Sequence, residues 1–468
     1  MSRLIVGLLL CAAATSAAFA QRTPKELPPY GADKALPAPK IVRHTLPNGL
    51  QVWVLPRNGV PRVDAVLALK GAGFAADAPD RPGEASLLAA LLTEGTQQRD
   101  ARALAEAMQG LGGAIGAGAS QDGVLLSANA LASQGEPMLK LLAEVARQPA
   151  FAEKEVALAR ENALQALKAA EAQPEFRADR ALAQAIYGSH PYSRTQATEA
   201  SINATTAEGL RGEHARRFRP DHAVLVIAGR VDQAAALAWA TEAFGDWKQN
   251  RMAAIETPAA PATSTPQRLL LDRPGSTQAT VRLGRPGAPA SAAEHVALRL
   301  TSTVLGSGFS SRVNINLREE KGYTYGASAS ARSYAMGGSI VGGADVRNEV
   351  TGAALQEFIK EYKRIGSELV PPAELTLAKR YLSGTHVLGT QQQGALAQTL
   401  ARSWLVGQPA SYLATFVPRV QKVTAAEVRE VAKRYFAPEA QSIVVVGDRA
   451  AIAEQLKPFG EFIAAPAN

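Results

Sequence analysis

The chain has 468 residues, of which 47% are hydrophobic and 20% are charged, and its formal net charge is +8. This length allows about two to four domains, and the composition excludes a disordered or collagen-like protein. The body of the chain has no apolar run of about 18 residues, which excludes a polytopic membrane protein. Basic and acidic residues are interspersed, so a nucleic-acid-binding surface is not expected.

The N-terminal residues have the layout of a secretory signal peptide. Arg3 gives a positive start, residues 4–14 form a short apolar run, and the sequence AFA at 18–20 is a small-residue cleavage site. The run is too short to span a bilayer, and no stop-transfer sequence follows that would favour an uncleaved anchor. We therefore expect cleavage after Ala20 and a periplasmic location for the mature chain.

The single cysteine, Cys11, lies within that apolar run. It follows Leu10, where a bacterial lipoprotein site resembling the usual lipobox has a small residue, so lipidation is not expected. The mature chain then has no cysteine, which excludes disulfides, a thiol nucleophile and cysteine-bound zinc.

After an N-terminal extension over residues 21–40, the first half of the body shows both strand and helix patterns. Two alternating strands are predicted on either side of a turn at 47–49 (PNG), and a third strand over 63–71. Apolar periodicity then predicts helices that cover 83–92, begin at Ala103 and cover 152–172.

The second half repeats this scheme after a linker. Residues 256–267 are rich in proline, alanine and threonine, which suits an extended connection. Beyond it, strands are predicted over 278–283 and 325–334, and helices over 293–305 and 353–365.

The two halves are related by a duplication. Residues 202–229 and 420–447 each read as an N-capped helix, a proline stop and a β-branched strand that ends in glycine. At one constant offset, five residues are identical, and these pairs are Thr206 and Thr424, Arg216 and Arg434, Phe218 and Phe436, Pro220 and Pro438, and Gly229 and Gly447. A repeat of this length indicates two homologous domains, 41–255 and 268–462. We predict an α+β fold, in which each domain is a mostly antiparallel sheet with helices packed on one face.

No local motif for hydrolytic chemistry is visible. The histidines lack the i,i+3 or i,i+4 spacing that would place a metal-binding pair on one helix face, and they are His44, His190, His214, His222, His295 and His386. The chain also lacks a G-x-S-x-G elbow and a phosphate-binding glycine loop. Each histidine is therefore interpreted as a surface or core residue.

The order of the motifs resembles the subunits of pitrilysin- or insulinase-type zinc metallopeptidases, over about 41–462. That group includes mitochondrial processing peptidase, the core subunits of the cytochrome bc1 complex and bacterial heterodimeric peptidases. The resemblance rests on the NGL hairpin, Glu94-Gly95-Thr96 after the first helix, YGSHPYSR from Tyr187, and the most specific stretch, LREEKGYTYGASAS from Leu317. It implies two α+β domains that form half of a clam-like chamber.

The resemblance also locates the family's zinc site, an H-x-x-E-H motif whose histidines point the same way from one helix turn to the next. Its matching stretch here is GEASLLAALLTEGT, in which Ser86 and Ala90 replace the histidines and Ala89 replaces the general base. At the family's spacing, Ala166 replaces the third ligand, and Ala159 replaces a second acid. We therefore expect no zinc, or any other cofactor, in this chain and no peptide hydrolysis by the chain alone.

A second-domain element of the family is retained, because Arg318 and Tyr325 keep the spacing of a pair that reaches the scissile region in active members. The resemblance implies that both donate hydrogen bonds to a substrate carbonyl or a developing oxyanion. The alternative is that Arg318 pairs with Glu319 or Glu320 and Tyr325 only packs on a strand. Tyr323 would replace Tyr325 if the register slipped, although it faces the other side of a strand.

We accordingly expect the exported, non-catalytic subunit of a heterodimeric metallopeptidase that degrades peptides. Zinc is expected in a homologous partner subunit with an H-x-x-E-H motif, and edge strands of this chain are expected to receive extended peptides. Two alternatives remain open at the level of sequence. One is a structural core subunit of a larger complex, and the other is a peptide-binding homodimer without catalytic activity.

Overall fold

The computed structural model describes residues 39–250 and 252–464, which contain two six-stranded sheets that share the topology of five of their strands. The predicted signal peptide and nearly all of the N-terminal extension lie outside the described residues. No described helix is both long enough and apolar enough to cross a membrane.

The first sheet is built from the first half of the chain, in the order β1-β2-β6-β3-β5-β4. The predicted PNG turn joins β1 and β2 as an antiparallel pair, and only β2 and β6 run parallel. The strands are β1 (Val42–Thr45), β2 (Gln51–Pro56), β3 (Arg62–Lys70), β4 (Ala114–Ala119), β5 (Gly123–Leu131) and β6 (Ala223–Gly229).

The second sheet has the order β12-β7-β11-β8-β10-β9. Its last five strands, β7-β11-β8-β10-β9, repeat the arrangement of β2-β6-β3-β5-β4 in the first sheet, and only the outermost strands β1 and β12 differ. The predicted strand over 325–334 begins two residues later, because the chain is still in a loop at Tyr325. The strands are β7 (Arg268–Asp272), β8 (Gln278–Gly287), β9 (Ala327–Ser333), β10 (Gly338–Arg347), β11 (Ser442–Gly447) and β12 (Ile463–Ala464).

The three helices that apolar periodicity predicts in the first half lie within one or two residues of their predicted positions. The long helix predicted over 152–172 is α4, and its apolar positions recur every three or four residues. The helices are α1 (Glu84–Leu91), α2 (Ala101–Gly110), α3 (Gly135–Arg147), α4 (Glu153–Glu171), α5 (Pro174–Tyr187), α6 (Glu199–Asn203), α7 (Ala207–Arg217) and α8 (Gln233–Phe244).

The second half contains a matching set of helices and one π-helix, over residues 315–320. The α-helices are α9 (His295–Gly306), α10 (Arg312–Asn314), α11 (Thr351–Ser367), α12 (Pro372–Gly389), α13 (Gln393–Leu405), α14 (Tyr412–Lys422), α15 (Ala425–Tyr435) and α16 (Arg449–Leu456). Residues 252–267, which include the predicted linker, form no helix or strand.

The α+β fold class is confirmed, since each sheet packs one face against helices of its own half. The opposite face of each sheet is covered as well, by one helix that comes from the other half of the chain. Helix α13 packs on β2, β3 and β6 of the first sheet, and α5 packs on β7, β8 and β11 of the second. This exchange buries the central strands on both faces and joins the two halves through apolar contacts.

Candidate functional site

Helix α1, which carries the positions of the degenerate zinc motif, is fixed at its N-terminus by backbone contacts. The carboxylate of Asp77 accepts hydrogen bonds from the amides of Gly83 at 2.9 Å and Ala85 at 3.0 Å. Gly83 has a φ of 88°, and a Cβ there would lie 2.5 Å from that of Ala197. The glycine before the helix is therefore required both by its backbone conformation and by the close approach of a neighbouring segment.

A buried ion-pair network ties α1 to α7. The fully buried guanidinium of Arg217 lies 2.8 Å from Asp77 and 3.3 Å from Glu84, and it also contacts Glu213 at 2.7 Å. Burial raises the pKa of both Asp77 and Glu84, and the charge of Arg217 opposes that shift. The start of α1 is thus held by charged side chains of its own scaffold and needs no metal to fix it.

The positions of the degenerate zinc motif come together in space. Ser86 and Ala90 of α1 and Ala159 and Ala166 of α4 all line one cavity of about 610 Å³. Four of the five positions predicted from the family's spacing therefore lie around the same cavity. Ala89 is different, because it does not line this cavity and is buried in the core of the first half.

The cavity is apolar, and its lining does not fit a zinc ion. Alanine offers no donor atom, and a serine hydroxyl is not among the usual zinc ligands. Glu94 and Glu155 also line the cavity, but the described residues contain no group of three histidine, cysteine or carboxylate side chains that would hold a metal. The larger apolar residues around the cavity are Leu87, Leu91, Leu158, Leu167, Phe176 and Ile202.

Sequence reasoning missed this apolar character. Only the positions of possible metal ligands and bases on α1 and α4 were interpreted, and the apolar residues between them were not. The signal was present in α4, where the residues lining the cavity recur at helical spacing, and these are Glu155, Leu158, Ala159, Asn162, Ala163, Ala166, Leu167 and Ala170. Such a stripe faces one side of a helix.

Two histidines of the first half take structural roles. His214 contacts the carbonyl of Ala146 at 2.9 Å and packs between Phe151 and Phe218. Burial lowers the pKa of His214 to about 4, against a weaker effect of the hydrogen bond to Ala146. His190 contacts the carbonyl of Pro258 at 3.0 Å, which connects the first half to the segment between the sheets.

Arg318 lies on the π-helix and is partly exposed. Its Nε atom is 3.4 Å from a carboxylate oxygen of Glu319, and its guanidinium stacks over the ring of Phe309 at 5.1 Å. This ion pair is one of the two that the alternative interpretation of Arg318 predicts, in which the arginine pairs with Glu319 or Glu320. It joins two partly exposed groups, so it contributes little to holding the arginine in place.

Tyr325 lies in the loop before β9 and is 94% exposed, so it does not pack on a strand. Tyr323, the alternative residue, is partly buried against the core of the second half. The exposed phenol of Tyr325 therefore remains the donor that a ligand can reach. Among the described residues, neither Arg318 nor Tyr325 lines the cavity beside α1.

Two buried asparagines position the segment that carries Arg318 and Tyr325. Asn316, on the π-helix, donates hydrogen bonds to Glu357 at 2.8 Å and Glu361 at 2.9 Å. Asn314 donates to the carbonyl of Phe309 at 2.9 Å and accepts from the amide of Ala327 at 3.2 Å. The π-helix and the start of β9 are therefore fixed, while Tyr325 between them faces solvent.

Comparison with known proteins gives two matches to family models. The model described as Insulinase (Peptidase family M16) matches residues 60–199, and the model described as Peptidase M16 inactive domain matches residues 204–382. Together these ranges include α1 and α4 as well as the segment with Arg318 and Tyr325.

Individual relatives span nearly the same part of the chain. An uncharacterized zinc protease of Mycobacterium leprae is 28% identical over 414 residues, which are 86% of this chain and 92% of that protein. A non-peptidase homolog of Helicobacter pylori is 22% identical and covers 79% of this chain and 85% of its own length. The crystal structure of a peptidase M16 inactive domain from Pseudomonas fluorescens has a TM-score of 0.83 and 25% identity, and covers 88% of this chain and 99% of that chain.

Proposed function

This chain belongs to the insulinase family of metallopeptidases, peptidase family M16, and on that premise we propose that it is a non-catalytic subunit of a heterodimeric peptidase. A homologous partner with an H-x-x-E-H motif supplies the zinc ion, the activated water and the general base. This chain supplies peptide binding and stabilisation of the transition state. We place the complex in the periplasm, on the strength of the signal-peptide pattern at 1–20.

One observation carries the proposal. The residues at the positions of the family's metal ligands, Ser86, Ala90 and Ala166, share one cavity. The three positions are therefore grouped around one volume, but their side chains neither bind zinc strongly nor transfer a proton. The names of the relatives are compatible with a catalytic and with a non-catalytic chain, because one relative is an uncharacterized zinc protease and another is a non-peptidase homolog.

Peptide binding is supported by the edge of the first sheet. Strand β4 is an edge strand that packs beside α1, and Gly116 and Gly118 on it have open space where a side chain would stand. An extended peptide added to this edge would run past the apolar cavity and place its side chains against it. The edge strand favours unfolded segments over folded proteins, because only an extended backbone pairs with it.

The second-domain pair supplies the proposed catalytic contribution. Arg318 and the exposed Tyr325 present a guanidinium and a phenol that donate hydrogen bonds. Donors of this kind stabilise the oxyanion of a tetrahedral intermediate, and the loss of one typically lowers the rate about 10²- to 10³-fold. Zinc held by the partner would polarise the substrate carbonyl, and this chain would provide only the hydrogen-bond donors, Arg318 and Tyr325.

The test uses the tagged mature chain to capture partners from a native periplasmic extract. We expect the captured complex to hydrolyse peptides in a chelator-sensitive manner and to contain a second chain with an H-x-x-E-H motif. Arg318→Ala should lower the hydrolysis at least about 100-fold without loss of the partner. The control is Arg102→Ala, because Arg102 lies on α2 with its side chain 87% exposed. Hydrolysis by the purified chain alone would contradict the proposal.

A second candidate function, a peptide-binding homodimer without catalysis, is favoured by the apolar lining of the cavity. Leu87, Leu167 and Phe176 suit an apolar side chain of a bound peptide better than they suit catalysis. Capture of this chain alone, together with saturable binding of an unfolded peptide, would favour that function. An unfolded peptide with its apolar residues replaced by serine serves as the control.

A further inference from the structure

A second pocket, of about 390 Å³, lies among α9, α12, α13 and α14 in the second half of the chain. Its lining includes two arginines, two histidines and several hydroxyl groups, and none of the described residues that line it carries a carboxylate. The polar residues that matter below are His295, Arg299, His386, Arg402, Ser403 and Tyr412.

Arg299 is a half-buried cation without an acidic partner among the described residues. One nitrogen of its guanidinium donates to the hydroxyl of Tyr412 at 3.3 Å, and its face stacks over the ring of Phe416 at 4.5 Å. The remaining N–H groups of this guanidinium donate to no acceptor in the described part of the chain. Charged groups removed from water are normally paired, so an unpaired cation in a pocket indicates a site for an anion.

Arg402 and Ser403, on α13, add further unused donors to the same pocket. Within the described residues, neither side chain makes a hydrogen bond or an ion pair. An exposed arginine without a partner is common by itself. Here it faces the same pocket as Arg299, which doubles the positive charge around one small volume.

The two histidines of the pocket have lowered pKa values, mainly because of burial and to a lesser extent because of the arginine charges. His295 lies 3.1 Å from the hydroxyl of Tyr412 and 3.2 Å from that of Ser333. Burial, and then the charges of Arg299 and Arg419, lower the pKa of His295 to about 4. The pKa of His386 is lowered as well, by burial first and by Arg299 to a lesser extent. Both imidazoles are therefore neutral near pH 7, and the charge of the pocket comes from its arginines.

We propose that this pocket binds a small organic oxyanion, either a carboxylate or a phosphate ester, between the guanidinium groups of Arg299 and Arg402. Planar guanidinium groups match both kinds of oxyanion in geometry and in charge. The pocket falls in the size range of small-molecule sites, about 300–1,000 Å³, so an organic group fits beside the anionic head. The Ser403 hydroxyl provides a further donor to that head. This site is separate from the proposed peptidase role, and either can fail without the other.

The test measures binding to the purified mature chain by calorimetry at constant ionic strength. The probes are N-acetylalanine for the carboxylate, glycerol phosphate for the phosphate ester, and N-acetylalanine amide as the uncharged control. Saturable binding of one anionic probe, with no binding of the amide, is the expected result, and the probe that binds identifies the anionic group. Absence of saturable binding for both anions would overturn the proposal.

Two variants assign the binding to this pocket. Arg402→Gln should lower the affinity for the probe that binds at least tenfold. Because Arg402 is exposed, this variant should fold normally. Arg230→Gln, which removes the same charge from an exposed position outside the pocket, should leave binding unchanged. Equal weakening by both variants would show a nonspecific charge effect and overturn the assignment. Arg299→Gln is a second probe of the pocket, with its folded state checked by circular dichroism.

Discussion

At the scale of single residues, the lack of a metal-binding group among the described residues rests on a few side chains around one cavity. Ser86 and Ala90 lie one helical turn apart on α1, and Ala166 lies across the same cavity on α4. The backbone positions that a zinc site needs are therefore present, while the ligand atoms are missing. This arrangement leads to a direct test by replacement of those residues.

The triple variant Ser86→His/Ala90→His/Ala166→Glu should bind about one zinc ion per chain. Its side chains restore two imidazoles and a carboxylate around one cavity, which suffices for a three-ligand site with an open position. Ala89 is left unchanged, because a glutamate at this core position would bury a charge. The measurement is the zinc content after dialysis.

A matched control moves only the carboxylate. In Ser86→His/Ala90→His/Ala169→Glu, the new glutamate lies on α4 but outside the residues that line the cavity. This control should bind zinc at least tenfold more weakly than the triple variant. Equal zinc binding by both proteins would show that the alignment of Ala166 with the third ligand is wrong.

Two buried histidines make the stability of the protein depend on pH. The pKa of His214 and that of His295 are each lowered to about 4 in the folded chain, whereas an unfolded histidine has a pKa of about 6.5. Between these values the unfolded chain binds more protons, so the free energy of unfolding should fall as the pH drops from about 6.5 towards 4. The slope is up to about 1.4 kcal/mol per pH unit for each histidine.

Chemical denaturation at a series of pH values checks this expectation. His214→Gln should be less stable near pH 7, because it loses packing against Phe151 and Phe218, but its stability should depend less on pH in this window. His44→Gln, at an exposed position on β1, is the control. An unchanged pH slope in His214→Gln would contradict the assignment.

At the scale of elements, the strands and helices that the sequence predicts lie close to their predicted positions, whereas β4, β5, β10, α3 and α5 have no prediction and the environment of α1 is not predicted. The PNG turn, the long helix α4 and the repeated helix–strand units follow from local periodicity and turn chemistry, which depend on nearby residues alone. The network around Arg217 joins residues far apart in the chain, so no local pattern reveals it. The same reason explains why the apolar nature of the whole cavity was missed, since its lining comes from four helices, α1, α4, α5 and α6, and the loop near Ala197.

Removal of the central cation of this network should destabilise α1. Arg217→Met leaves the buried carboxylates of Asp77 and Glu84 without their common partner, which typically costs about 3–5 kcal/mol. Arg216→Met is the control, because its partly exposed guanidinium pairs only with Glu213. Urea denaturation measures both variants, and an equal loss in the two would contradict the role given to Arg217.

At the scale of the whole molecule, the exchange of helices between the halves was not predicted. The sequence predicts helices on one face of each sheet, and no pattern in it indicates that α5 and α13 pack on the sheet of the other half. Both helices have apolar residues on the face that meets the other sheet, but a helix of the same half would show the same pattern. Only the tertiary structure identifies the partner of such a face.

The exchange should make the two halves unfold together. Leu400→Ala removes a buried side chain between α13 and the first sheet, and it should lower the free energy of unfolding by about 2–5 kcal/mol in a single transition. Tryptophan fluorescence reports the first sheet through Trp53, which lies in the same cluster, and circular dichroism reports both halves. Separate transitions for the two signals would contradict this coupling. Leu158→Ala, at a position that is 49% exposed, is the control.

The central claim is that this chain works without zinc of its own and beside a zinc-bearing relative. The most direct measurement is native mass spectrometry of the complex captured on the tagged mature chain, with the metal content resolved for each subunit. We predict a heterodimer in which one zinc ion is bound to the partner subunit and none to this chain. Zinc bound to this chain, or a captured complex that contains only copies of it, would contradict the account.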